Sequence, residues 1–220
     1  MFKGHCFPKV IILQVVYFKL RFSLSYRDIE ELLSIRGVKV DLATNQRWVF
    51  KFTSFVEQQF RKRKKSVGKR WRMNETYIKV KGQWRYLYRA VDKQGNTVDF
   101  LLTKRRQRIS AQRFLIKAIE SNVKPGLINI DKSEFYTAAI KLYNCRNYSN
   151  IKIRQCKYLN NIVEQDHRLI KCRIMLGLGF KEFESTKRTI SGMEVVGMIR
   201  KNQLLDSKNS TYKSFISLAS

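Results

Sequence analysis

Glu164, His167 and Lys171 stand at i, i+3 and i+7 near the C-terminus. On a helix with 3.6 residues per turn, that spacing sets a carboxylate, an imidazole and an ammonium along one side. Such a stripe is either a solvated charged face or a helix laid against a charged ligand, with the carboxylate left to hold a metal. Asp131 closes the apolar run Leu127-Ile128-Asn129-Ile130, which reads as a short buried strand. A carboxylate at a strand end and another on a facing helix suit phosphoryl transfer on a nucleic acid. Two divalent cations about 3.5–4 Å apart can drive that reaction by stabilising the attacking and leaving oxygens. Mg²⁺ or Mn²⁺ in such a site takes oxygen ligands, so Asp131 and Glu164 are the candidate metal ligands. Lys171 and His167 could hold a substrate phosphate beside them.

Composition points to the same partner. The 220 residues include 45 Lys+Arg against 17 Asp+Glu, a formal charge of +28. With 44% hydrophobic residues, the chain can bury a core, and a compact body this basic normally meets a polyanion. Nucleic acid leads over an anionic membrane, because the one apolar run, Val10–Leu20, contains Gln14 and Lys19 and is too short to span a bilayer. It reads as a buried helix, and no cleavage site follows it, so the expected location is cytoplasmic. Cys6, Cys145, Cys156 and Cys172 lie far apart without a C-x-x-C pair, which predicts neither a zinc site nor a disulfide framework.

Two groups of elements must position these residues. Residues 9–62 read as helical. Ser25 and Asp28 have the spacing of a capping box, Gly37 supplies a stop, and Asp41 can cap a second helix through Thr44-Asn45-Gln46-Arg47-Trp48-Val49-Phe50. The outline is that of a helix-turn-helix or of an ordinary helical hairpin. In the former, Thr44, Asn45, Gln46 and Arg47 would face base edges and phosphates. Residues 61–72 carry eight cations in twelve positions and read as a linker lying on phosphate. Beyond them, Arg72–Val80, Trp84–Val91 and Val98–Leu102 read as strands joined by turns at Lys81-Gly82 and 93–96. Helix (110–121), strand (127–130), helix (136–143), strand (150–155) and helix (from Asn161) follow, then an amphipathic helix over 182–201. This order predicts an α/β domain of ribonuclease-H-like type, a mixed sheet flanked by helices. The expected division is 1–60 helix-turn-helix region, 61–72 linker, 73–205 core and 206–220 tail.

The chain resembles the transposases of the insertion-sequence-six family of bacteria, whose integrase-like cores carry an Asp-Asp-Glu triad. The resemblance runs from about residue 3 to 205. Its N-terminal part rests on Leu24-Ser25-Tyr26-Arg27-Asp28, Arg36-Gly37-Val38 and Arg47-Trp48-Val49. Its strands show it in Glu75-Thr76-Tyr77-Ile78-Lys79-Val80, Tyr86-Leu87-Tyr88-Arg89-Ala90-Val91-Asp92 and Thr97-Val98-Asp99. Further along come Asp131-Lys132, Lys157-Tyr158-Leu159-Asn160-Asn161, Glu164-Gln165-Asp166-His167-Arg168, Lys171 and Ser191-Gly192-Met193-Glu194. The resemblance implies that Asp131 and Glu164 are the second and third triad residues, that Lys171 is the basic residue following the Glu, and that His167, Arg168 and Lys171 face DNA. It further implies recognition of terminal inverted repeats by the N-terminal helices, attack of a 3′-hydroxyl on a target phosphodiester, and a dimer or larger multimer on double-stranded DNA.

At the position of the first triad aspartate stands Asn74. Its amide offers one weak neutral oxygen where a carboxylate offers two charged ones. Glu75 cannot replace it, because successive strand side chains point to opposite faces; whether Asp92 or Asp99 approaches the site is left open. The expectation is a transposase whose chemistry is impaired. The alternatives are a non-catalytic DNA-binding regulator of intact relatives and a basic RNA-binding protein, the last of which leaves Asp131, Glu164 and Lys171 unexplained.

Overall fold

A computed structural model describes residues 6–22, 24–131, 134–156, 159, 161–176 and 180–219, with the backbone alone at 162, 169, 175 and 176. The elements are α1 (Lys9–Arg21), α2 (Tyr26–Ile35), α3 (Leu42–Lys62), β1 (Arg70–Val80), β2 (Gln83–Asp92), β3 (Thr97–Thr103), α4 (Arg108–Glu120) and β4 (Leu127–Ile130). They continue with α5 (Glu134–Arg146), β5 (Lys152–Gln155), α6 (Asn161–Leu176), α7 (Phe183–Arg200) and α8 (Thr211–Ile216). Two compact units emerge, residues 1–65 with 172–220, and residues 66–171. This grouping differs from the sequence division at 60, 72 and 205, since 172–205 gathers with the N-terminal helices. Likewise, α3 claims Arg61 and Lys62 and β1 claims Arg70–Arg72, leaving only 63–69 between them.

The first unit is all helix. Ser25 and Asp28 close the capping box, with the Asp28 N–H donating to Ser25 Oγ at 3.1 Å and the Ser25 N–H to Asp28 Oδ2 at 2.6 Å. Gly37 takes φ +74 after α2, a left-handed conformation that glycine adopts without a Cβ penalty. Asp41 then caps α3, accepting from the Thr44 N–H at 2.8 Å. The apolar run of α1 buries Ile12, Leu13, Val16 and Leu20. Among the described residues no helix is long and apolar enough to cross a membrane. Trp48, Phe52, Val56 and Phe60 form the buried stripe of α3, a four-residue step that keeps them on one side. α7 packs with α1 and α3. At Gly192 an added Cβ would collide with Leu20 and lie 2.8 Å from Thr53 Cγ2. That close approach explains why α7 belongs to this unit. Residues 206–220, expected as a tail, include α8, which buries Phe215 and sets Tyr212 and Phe215 each 5.2 Å from the Tyr17 ring.

The second unit is a five-stranded sheet in the order β3-β2-β1-β4-β5. β1, β2 and β3 form an antiparallel meander, and β4 and β5 add parallel to β1. Lys81 (φ +49) and Gly82 (φ +75) make the two-residue β1–β2 turn, both left-handed as a twisted hairpin requires. Parallel strands need crossovers, and α4 and α5 supply them. The mixed sheet with this order and these crossovers is the ribonuclease-H-like fold. On one side of the sheet Trp71, Met73, Tyr88, Ala90, Ile128 and Ile130 pack in a core with Phe114 and Leu115 of α4 and Tyr136 and Ile140 of α5. By strand alternation the other side carries Arg72, Asn74, Arg89 and Asn129.

Candidate active site

The β1–β4 ladder ends with Met73 opposite Ile130. One residue further along are Asn74, still on β1, and Asp131, the first residue beyond β4; strand alternation puts Asn74 on the sheet face opposite the core. Across β2, Asn74 pairs with Arg89. Asn74 and Arg89 are therefore neighbours in one row, with Asp131 just past the end of the adjacent strand. Asn74 Oδ1 accepts the Glu75 N–H at 2.9 Å, a local bond that an amide makes with its own backbone.

α6 approaches this face through Asp166, whose Oδ2 lies 3.4 Å from Arg89 Nη2. Arg89 is 3% exposed, and its burial follows from being a single charge in the apolar strand 86–91. Val163, His167 and Ile170 are the buried stripe of α6, whereas Glu164, Arg168 and Lys171 are exposed. The structure thus corrects the expected stripe. His167 is only 4% exposed, drawn inward with Val163 and Ile170, and Arg168 takes its place beside Glu164 and Lys171. Burial, then the charges of Arg89 and Lys171, push the His167 imidazole down to about 3. Near pH 7 it is neutral and buried, not a surface cation for a phosphate.

The other carboxylates are committed elsewhere. Glu75 points to the α4–α5 side, where it pairs with Arg106 (Arg106 Nε to Glu75 Oε1, 2.9 Å). Burial first and then the Glu75 charge hold the Tyr136 hydroxyl well above its ordinary range, and raise Tyr88 to about 12. Asp92 accepts from the N–H groups of Gly68, Gln94 and Asn96 at 2.9–3.0 Å and organises the β2–β3 turn. Asp99 pairs with Lys117 of α4 at 3.0 Å. Neither completes the Asn74–Asp131 row. Among the described residues no group of three His, Cys, Asp or Glu side chains converges as a metal site. Two cations do not fit this donor set, because the position between Asp131 and Arg89 supplies a neutral amide.

One row below, Arg72 pairs with Asn129 and Asn129 with Arg154. A cleft of about 140 Å³ opens there, lined by Arg70, Arg72, Lys93, Asn129 and Arg154, and among the described residues Arg72 Nη1 is buried without a hydrogen-bond partner. Four cations line it and no carboxylate does. Arg70 and Arg72 end the basic run 61–72 that the sequence set against phosphate, although as strand and not linker, whereas Lys93, Asn129 and Arg154 were not singled out.

On α3, Gln46 and Arg47 are exposed, and Thr44 is half-buried, donating to Asp41 at 2.7 Å and accepting from Arg47 at 2.9 Å. Asn45 departs from expectation: it is fully buried, and among the described residues neither of its amide atoms has a partner. It lies on the buried Trp48–Val49 side of the helix. Gln46 and Arg47 border a cleft of about 630 Å³ that also includes Phe50 of α3 and Arg188 of α7. The Arg188 guanidinium sits 3.7 Å from the Phe50 ring centroid. Lys132, Lys157, Tyr158 and Asn160, part of the family resemblance, lie outside the described residues.

Residues 68–203 match a family model described as a DDE domain. The chain is 37% identical over 208 residues to the transposase for insertion sequence-like element IS431mec of Staphylococcus aureus strain N315, covering 92% of this chain and 90% of the relative. The same identity and coverage hold for the transposase of insertion sequence element IS257 in transposon Tn4003 of Staphylococcus aureus. Among solved structures, the HTLV-2 integrase catalytic core in complex with magnesium, trimeric form, is 17% identical, covers 60% of this chain and 86% of its own, and has a TM-score of 0.47. The BIV integrase core is 16% identical, covering 68% and 94% with a TM-score of 0.46. The family match and the transposases aligned over nine-tenths of the chain settle the relationship: this chain belongs to the DDE transposases of the insertion-sequence-six family.

Proposed function

We propose that this chain recognises the terminal inverted repeats of a bacterial insertion sequence, and that its own cleavage and strand-transfer chemistry is impaired. The observation that supports the reading is Asn74 at the position of the first triad aspartate, directly after the last β1–β4 pair, Met73 with Ile130, as Asp131 is on the other chain segment. A thousandfold loss of rate there corresponds to about 4 kcal/mol. Two Mg²⁺ or Mn²⁺ ions belong to a site with an aspartate at 74, with Asp131 and Glu164 as the other ligands.

The net charge of +28 supports double-stranded DNA as partner, at both element ends and target. Exposed Gln46 and Arg47, with Thr44 beside them, support end recognition by α3. Exposed Arg168 and Lys171, beside Glu164, suit phosphates near the Asp131 row. Holding two element ends together calls for a dimer or larger multimer, acting in the bacterial cytoplasm at the nucleoid. Asn74 also favours a second reading, a non-catalytic regulator that assembles with intact relatives and lowers their activity.

The test reads binding and chemistry separately. Gel shifts compare a labelled terminal repeat with a scrambled duplex across salt concentrations, and strand transfer is assayed with Mg²⁺ and with Mn²⁺. Specific, steeply salt-dependent binding without strand transfer is expected. Equal binding to both duplexes overturns end recognition, and strand transfer by the unmodified chain overturns the impairment. Co-assembly that suppresses an intact relative selects the regulator.

A further inference from the structure

The sheet face that carries Glu75 continues past α4 and α5 into the β1–β2 hairpin, where Tyr77 is 45% and Trp84 55% exposed. Cross-strand register sets Tyr77 opposite Tyr86 and Lys79 opposite Trp84. Tyr77 meets Tyr86 at 5.4 Å and 71°, and Trp84 at 6.3 Å and 76°. No two of these rings stack face to face, and Tyr86 is anchored against the buried core. Lys79 Nζ lies 5.0 Å from the Trp84 ring centroid. On this face the hairpin carries Lys79, with Lys81 at its turn, and residues 76–91 contain no acid. The nearest carboxylate, Glu75, already pairs with Arg106.

We infer that the β1–β2 hairpin is a stacking platform for unpaired nucleotides of a nucleic-acid strand. Every base offers a π face to an open aromatic ring, and cations between the rings answer the backbone phosphates. A second copy of this chain would bring the same uncompensated cations against Lys79 and Lys81, so charge complementarity selects a polyanion. The platform lies on the opposite side of the sheet from Asn74, and its binding needs neither an active row nor recognition of a terminal repeat.

The chain carries its own reporter. Of its three tryptophans, Trp48 and Trp71 are buried and Trp84 alone is exposed. Tryptophan emission of the full chain is followed at low salt while a ten-nucleotide oligothymidylate, or a duplex of that length, is added. Saturable quenching by the single strand is expected. With affinity in the variants read by fluorescence anisotropy of a dye-labelled oligonucleotide, Tyr77→Ala and Trp84→Ala should each weaken single-strand binding about ten-fold or more, as for removal of one base–ring stack, with duplex binding changed less than two-fold. Trp84→Phe, which keeps a ring, should hold affinity within a few-fold and so separates stacking from misfolding. Absence of quenching overturns the inference, as does single-strand affinity unchanged in Tyr77→Ala and Trp84→Ala. A Trp84→Ala change that alters sedimentation but not oligonucleotide binding assigns the surface to a second copy and overturns it equally. Loss of repeat recognition with quenching intact would fail the end-binding reading alone.

Discussion

On the proposed reading, replacing Asn74 by aspartate should strengthen cation binding beside Asp131, and the strand spacing sets the size of the effect. Neighbouring strands lie about 4.8 Å apart, so a carboxylate at 74 would stand about 5 Å from that of Asp131. Two like charges at that distance repel by about 3 kcal/mol at an effective dielectric constant of 20. Arg89, whose Cα pairs with that of Asn74, and partial solvent access at both positions reduce this towards about 1 kcal/mol. In chelator, Asn74→Asp is therefore expected to melt about 2–4 °C below the unmodified chain. Mg²⁺ or Mn²⁺ should reverse that loss and go beyond it, since ligand at 100 times its Kd adds about 2.7 kcal/mol. The unmodified chain should show a much smaller rise. Melting in chelator and in each metal, beside strand transfer on a labelled terminal repeat, reads both consequences; strand transfer should rise about a thousandfold or more. Equal strand transfer by the unmodified chain, or a metal-induced rise identical in both proteins, would mean that Asn74 does not limit metal binding.

Three other outcomes follow from particular side chains. Asn45→Leu removes a buried amide with no partner among the described residues and should stabilise the chain by about 1–3 kcal/mol in urea unfolding, leaving repeat binding intact; a loss of stability would contradict its placement. His167, neutral in the fold and held down to about 3 beside Arg89 and Lys171, gives a stability contribution with a definite sign. Its folded value lies below the unfolded 6.5, so the unfolded chain binds the extra proton, and stability falls as pH drops from about 6.5 towards 3. Between pH 7 and 5 the loss should be about 2 kcal/mol at roughly 1.4 kcal/mol per pH unit, and His167→Leu should remove that part of the slope. Arg72→Ala with Arg154→Ala should weaken terminal-repeat and scrambled duplex binding alike and lower the salt slope by about 2, one for each phosphate no longer neutralised; an unchanged slope would mean that their cleft meets no phosphate.

Much of the fold was legible because it rests on local chemistry. A serine three residues before an aspartate makes a capping box wherever a helix begins, and Lys81-Gly82 makes a tight turn wherever two strands must be joined within two residues. β4 was bounded at Leu127–Ile130 from sequence and stands there in the structure. Partnership between distant segments was not legible in the same way. α7 shows an ordinary apolar pattern in sequence; only the close approach of Gly192 to Leu20 and Thr53 shows which helices it packs against. The C-terminal residues look polar, and their order depends on Tyr17 receiving Tyr212 and Phe215.

The site divides along the same line. Strand parity is rigid, so the rule that Glu75 points away from Asn74 held, and its pairing with Arg106 supplies the reason it stays there. Helical azimuth is less forgiving. Glu164, His167 and Lys171 share a side by spacing, but so do Glu164, Arg168 and Lys171, and only the packing partner decides between them. A buried sheet face bearing Arg89 accepts Asp166 and a neutral imidazole and excludes a second cation. His167 is therefore inside and Arg168 outside. Asn45 illustrates the same limit on α3, where its polar type suggested surface and its place one turn before Val49 put it in the core. The residue type at 74, in contrast, needed no packing information. The strand pairing shows only what stands around it, and the proposal that the fold is kept while the chemistry is lost rests on that neutral amide.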